Sequence, residues 1–171
     1  MKERQLRNLK ITDVVSMDFV VMTTNPPEAG KEDGGSTVST NKHGFESGSI
    51  PQKQFLDCMK KLRKHALEIC EMDIVDKKNY TNWNVSELKI SGDVTLKQSR
   101  VIMTVTKYVE RTKKTIHFKT PQVTMYGESE YQEVEKLTAI IEDIIEEAWS
   151  YFDQNAQLDA FEQKLETNFV K

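Results

Sequence analysis

VIMTVTKYV, residues 101 to 109, constrains the fold more than any other stretch of the chain. It is rich in β-branched residues and strongly β-prone, with Val101, Met103, Val105 and Val109 on one face. A strand of this kind must bury that face against something and must have neighbours for its backbone. RTKK, residues 111 to 114, offers a hairpin connection, and TIHFKT is a short return strand ended by Pro121. Upstream, NVSELKI places Val85, Leu88 and Ile90 in a strand-like run with imperfect alternation, and Gly92-Asp93 marks a turn or bulge. Residues 10 to 24 also alternate: Ile11, Val15, Met17, Phe19 and Val21 share a face, with Asp13 the exception.

Two segments follow the helical period instead. Phe55, Met59, Leu62, Ala66 and Ile69 step by four and three, and Ser49 with Gln52 has capping-box spacing at the start. Val134, Leu137, Ile141, Ile144, Ala148 and Phe152 form a second stripe, with Ser129 and Gln132 repeating the capping spacing. The expected order is β-α-β-β-β-α. The simplest solution is an α+β fold, a small antiparallel sheet with two amphipathic helices packed on one face. Residues 25–49 hold two prolines and five glycines and read as a long flexible loop. The expected domain is 1–152, followed by a C-terminal tail, 153–171.

Composition limits the classes of function. The 171 residues are enough for one domain, 37% of them hydrophobic and 30% charged, with net charge −3. A chain of that balance is not a polycation. Cys58 and Cys70 fall in one predicted helix, about 18 Å apart along its axis, too far to bridge. They read as small apolar residues of a reducing compartment. MKERQLRNLK is not followed by an apolar signal core, and no apolar run is long enough to span a bilayer. The expectation is a cytoplasmic protein without a membrane partner.

Catalytic signatures are missing. His43, His65 and His117 lie in three different predicted elements, and none has a partner at metal-ligand spacing. GKEDGGS lacks the ending and the strand–helix setting of a phosphate loop. Glu142, Asp143, Glu146 and Glu147 read as a solvated helix face. No enzyme, cofactor or metal is expected.

Charge is distributed unevenly. Residues 97 to 119 carry Lys97, Arg100, Lys107, Arg111, Lys113, Lys114 and Lys119 against Glu110 alone. Residues 128 to 147 carry eight acidic residues against Lys136. Cations that follow phosphates, with Tyr108 and Phe118 as rings for bases, are what single-stranded DNA requires. The alternatives are lysines that protect a sheet edge, or that pair with the acidic helix.

The tail contains QLDAF. Gln157, Leu158, Asp159 and Phe161 match four of the five positions of the pentapeptide by which many bacterial and phage proteins dock on the β sliding clamp, with Ala160 at the position preferring leucine. Leu158, Phe161, Leu165 and Phe169 also step as an amphipathic helix would. HALEICEM, VSELKISG, VIMTVTK, FKTPQ and EEAWSYF, within residues 52 to 152, resemble stretches of small phage and prophage proteins encoded among replication and recombination genes. That resemblance implies a phage DNA-metabolism context; with the basic hairpin and the tail, the expected protein is a non-enzymatic accessory factor in DNA replication or recombination, with single-stranded DNA and a sliding clamp as partners. Two further readings are an inhibitor that offers its acidic helix to a host or defence enzyme, and a homo-oligomeric structural protein assembled by self-pairing of VIMTVTKYV.

Overall fold

The computed structural model describes residues 2–25, 37–72, 82–92, 99–126 and 129–169. The elements are β1 (Lys2–Ile11), β2 (Val15–Asn25), β3 (Thr37–Ser47), α1 (Lys53–Ile69), β4 (Trp83–Ser91), β5 (Arg100–Val109), β6 (Lys114–Lys119), β7 (Val123–Thr124) and α2 (Val134–Phe169). The strands form one antiparallel sheet in the order β3-β2-β1-β4-β5-β6, with β7 pairing β5 beyond the end of β6. This is the expected α+β class. Three strands rather than one precede the first helix.

A single row of side chains crosses most of the sheet. Phe45 pairs Met17, Met17 pairs Leu9, Leu9 pairs Leu88 and Leu88 pairs Met103. Met17, Leu9, Leu88 and Met103 are all at most 1% exposed. Flanking rows add Val15, Val85, Ile90, Val101 and Val105 to the same face, where they join one core with the apolar stripes of both helices. Phe55, Met59, Leu62 and Ala66 of α1, and Leu137, Ile141, Ile144 and Ala148 of α2, are buried as their spacing predicts. Both helices therefore cover one face, and the pleat turns alternate residues to the other.

Two bulges explain what simple alternation misses. Leu6 and Leu9 are three apart, yet both are buried, because the register shifts between Leu6 and Asn8. Val85 and Leu88 repeat the device, with the shift between Val85 and Glu87. A bulge adds one residue and returns i and i+3 to the same side. Without it, KERQLRNLK has no period of two, which is why β1 is not legible in the sequence.

The loop expected over 25–49 requires correction. Residues 37–47 are β3, paired with β2 along its whole length from Asn25↔Thr37 to Val15↔Ser47; residues 26–36 lie outside the described residues. β3 is a sheet edge with little apolar content, so pairing rather than burial defines it. Its rings still contribute: His43 stacks on Phe19 at 5.3 Å between centroids, and Phe45 meets Phe152 at 4.9 Å.

Neither capping box forms. α1 begins at Lys53 behind Gln52, which supplies no side-chain cap. The Ser49 carbonyl instead accepts the Tyr151 hydroxyl at 2.6 Å, so tertiary packing takes the serine away from the helix end. At α2, the Ser129 hydroxyl accepts the Tyr131 N–H at 3.3 Å, four residues short of the helix that begins at Val134. α2 then runs 36 residues without a break through the segment expected as a tail. Arg4 pairs with Asp153 at 2.8 Å and lies 4.7 Å over the Trp149 ring, and Ser47 donates to Asn155 at 3.2 Å. VIMTVTKYV, expected as a self-pairing surface, is β5 and has β4 on one side and β6 with β7 on the other. Its backbone has no free edge for a second copy.

The register makes opposite predictions for adjacent residues of β4. Leu88→Ala should cost about 2–5 kcal/mol in urea unfolding, since it opens the buried row. Lys89→Ala, on the other face and exposed, should stay within about 0.5 kcal/mol.

Candidate nucleic-acid interface

The face away from the helices is laid out by the same register. One row runs Glu46, Ser16, Lys10, Glu87, Thr104, Lys119 across the six strands. Toward the β5–β6 hairpin tip, the next rows are Asn84, Thr106, His117 and then Tyr108, Thr115. In the other direction β5 adds Ile102 and Arg100. Lys10, Arg100, Tyr108, Thr115, His117 and Lys119 are all exposed. Tyr108 is 52% exposed, unusually open for a ring on a strand. Tyr108 and His117 are diagonal neighbours on this face, roughly 7–8 Å apart by strand geometry.

The structure divides the basic residues expected to act together. Arg100, Tyr108 and Lys119 share the open face. Lys107 and Lys114 lie on the helix side of the sheet by alternation, Lys107 with its ammonium 4.9 Å over the Trp83 ring. Trp83 in turn meets Phe118 edge-on at 5.4 Å. Lys107 is thus committed to packing the end of the core. Arg111 and Lys113 occupy the turn as expected, Lys113 at φ 54, a left-handed position that tolerates lysine only at some cost. Lys97 lies outside the described residues. His117, Lys10 and the threonines were not candidates from sequence. The alternation of TIHFKT carries the signal for His117, but its relation to Tyr108 exists only once β5 and β6 are in register.

A cleft of about 780 Å³ takes in part of this face: Thr104, Thr106, Thr115, His117 and Lys119 line it together with Lys10, Ile11, Leu56, Met59, Lys60 and the β4 residues from Asn84 to Glu87. Its one carboxylate, Glu87, is already engaged, accepting the Thr104 hydroxyl at 2.8 Å and lying 3.7 Å from the Lys89 ammonium. Both bonds are on the open face, and the other charged residues that line the cleft, Lys10, Lys60 and Lys119, are basic.

The acidic segment lies on the opposite side. Glu135, Glu142, Asp143 and Glu146 of α2 are exposed. Glu142 accepts the Tyr126 hydroxyl at 2.8 Å, and burial with that bond pushes the Tyr126 pKa up to about 12. Glu133 bonds the ammonium groups of Lys136 and Lys64, which hold its carboxyl down at about 2. The helix charges are thus partly compensated within the helix layer rather than by the hairpin.

A second polar cluster ties α1 to the start of α2. His65 is buried, 4% exposed, and its Nδ1 lies 2.7 Å from the Tyr131 hydroxyl. Tyr131 donates to Glu68 at 2.8 Å, so its oxygen accepts from His65. His65, Glu68 and Glu133 bring ligand atoms within 4.8 Å of one another. Lys64 already bridges the two carboxylates, at 3.4 Å from Glu68 and 3.2 Å from Glu133. The arrangement is a charge-compensated interhelix tie. QLDAF lies within α2, where its backbone is helical and Gln157 is exposed.

Comparison of the chain with protein-family models, with curated proteins and with solved structures found no match.

Burial pushes the His65 imidazole below its ordinary pKa of 6.5, against the pull of Glu68 and Glu133 and with help from Lys64 and Lys136. The unfolded chain then binds the proton more readily than the folded one. Stability is full above the ordinary histidine range and falls as pH drops below about 6.5. Urea unfolding at pH 7.5 and 5.5 should show this loss, and His65→Gln should reduce it. Tyr131→Phe, which removes the hydroxyl between His65 and Glu68 and leaves Glu68 with Lys64 alone among the described residues, should cost about 1–3 kcal/mol at either pH.

Proposed function

We propose that this protein binds single-stranded DNA on the open face of β4–β6. In this reading it performs no chemistry of its own and serves as an accessory factor in DNA replication or recombination. The observation that carries the reading is the pairing of an exposed ring, Tyr108, with His117 and Lys119 on a sheet face that the helices leave free. Bases stack on such rings regardless of sequence, and cations beside them take the phosphates. The threonines between the rings are short enough to let a strand approach the sheet. The acidic residues of α2 are on the far side, so they repel the ligand least where it sits. Duplex DNA offers no free base faces to Tyr108 and His117, which favours a single strand.

Resemblance to phage proteins in short words supplies the replication context. Docking of Gln157, Leu158, Asp159 and Phe161 on a sliding clamp is the second half of the proposal. It would raise the local concentration of the sheet face at a fork. Because the free chain holds this segment as helix, docking in an extended form requires the last turns of α2 to open.

Fluorescence anisotropy of labelled single-stranded DNA at several salt concentrations tests the reading. Lys119→Glu and Arg100→Glu should each weaken binding, and Lys119→Ala should reduce the salt slope by about 0.7. Tyr108→Ala should cost about 1–3 kcal/mol with the slope unchanged. Lys114→Glu, on the other face, should have the smaller effect. Equal losses from Lys114→Glu and Lys119→Glu would remove the face from the argument, and no binding at low salt would end it.

A further inference from the structure

The cleft beside the open face has an origin that suggests its occupant. β1 pairs with β4 only over Asn8–Lys10, ending at Lys10↔Glu87, and then turns away. β4 continues through Trp83–Ser86 with no strand partner on its β1 side among the described residues. The bulge at Ser86 bends the strand at the same point. The result is a slot with three kinds of wall. One is a strand edge, which presents backbone donors and acceptors. Another is apolar, made by Ile11 from the end of β1 and by Leu56 and Met59 from α1. The rim is cationic, with Lys10, Lys60 and Lys119 around it. Leu56 is half-buried and Met59 is 5% exposed, so the apolar wall is continuous with the core.

We infer that this slot takes one unstacked nucleobase of the bound strand. A base is planar, apolar on its faces and polar along its edge. The slot offers apolar walls for the faces and a free strand edge for the polar rim. The neighbouring phosphates fall to Lys10 and Lys119, which stand in one row across the open face, flanking Glu87 and Thr104. Lys60 has a carboxylate neighbour, Asp57 at 2.8 Å, and so contributes less charge. The slot and the adjoining open-face residues form one cleft of about 780 Å³, within the usual range for small-ligand sites and large enough for a nucleotide with water. Thr104, Thr106, Thr115 and His117 line that same cleft, so a strand stacked on Tyr108 reaches it directly. Tyr108 holds a base without discrimination, His117 stands at the mouth of the cleft, and the slot fixes the strand's position. This inference rests on the proposed binding of single-stranded DNA.

A deoxyadenosine oligonucleotide with one 2-aminopurine separates the two ideas. In free solution the probe is stacked on its neighbours and its emission is quenched. Insertion into the slot should raise that emission on binding to the full chain. Leu56→Trp fills the slot from α1, and Ile11→Trp fills it from β1; circular dichroism checks that each variant folds. Either folded variant should abolish the rise in emission and weaken anisotropy-detected binding at least five-fold, the lower end of the cost of one lost base contact. Salt-dependent binding should persist in both. If the wild-type chain binds the strand but emission does not change, and the variants bind as tightly, the slot is not a base site and only this inference falls. If the wild-type chain does not bind the strand at all, the single-strand reading and the inference fall together.

Discussion

The row Phe45–Met17–Leu9–Leu88–Met103 is the constraint from which the rest follows. It runs across five strands, and four of its five members are almost wholly removed from water. Because side chains alternate along a strand, a slip of one residue in any strand would carry its buried set to the solvent face. The row therefore fixes the register of the sheet. By fixing it, the row also decides which polar residues stand side by side on the opposite face. The line from Lys10 to Lys119 and the pairing of Tyr108 with His117 are consequences of where Leu9, Leu88 and Met103 are buried.

The helices act through the same row. They supply the apolar surface against which it packs, and they do so on one side only. α2 is long enough to reach both ends of the sheet, meeting Met125 near β7 through Thr138 at 2.7 Å and β3 through Asn155. Side-chain ties hold it in place: the His65–Tyr131–Glu68 chain just before its start, and Arg4 with Asp153 and Trp149 near its middle. The Arg4–Asp153 pair is half exposed and contributes little by charge alone. Its value lies in the packing of the guanidinium over Trp149, which closes the core beside Phe19. One-sided cover leaves a polar sheet face, and the early departure of β1 from β4 leaves a gap in it. The proposed interface and the proposed base slot both derive from those two features.

Much of the fold was legible because its main elements obey a single period. The stripes of α1 and α2, the alternation of β5 and the RTKK turn appear in the structure where the spacing places them. Elements whose pattern is interrupted were not legible. β1 contains a bulge, so its buried residues are three apart and match no simple template; the same device in β4 reduced a strand that was still readable to an imperfect alternation. β3 has almost no apolar pattern, because an edge strand is held by backbone pairing with its neighbour. Ser49 and Ser129 have the right spacing for caps, but Ser49 is held by Tyr151 through its carbonyl and Ser129 serves the Tyr131 turn. Ser49 is engaged by a tertiary contact and Ser129 by a local turn, so neither capping signal is realised. Among the site residues, Arg100, Tyr108 and Lys119 could be chosen by composition, and alternation sets Arg100 and Tyr108 apart from Lys107 within β5, but only the β5–β6 register puts Lys119, and not Lys114, on their face.

The sequence by itself determined the class of the fold, the two helices that cover the sheet, the central hairpin and the concentration of basic charge upon it. These are properties of nearest neighbours along the chain, where period and composition are sufficient. The tertiary structure alone decided which of the basic residues share a face, that VIMTVTKYV is an interior strand, and that His65 meets Tyr131 and Glu68. It also decided that, among the described residues, the Trp83–Ser86 part of β4 has no strand partner on its β1 side. Each of these depends on register between segments far apart in sequence. Register is set by burial summed over the whole sheet, which no local stretch of the chain contains.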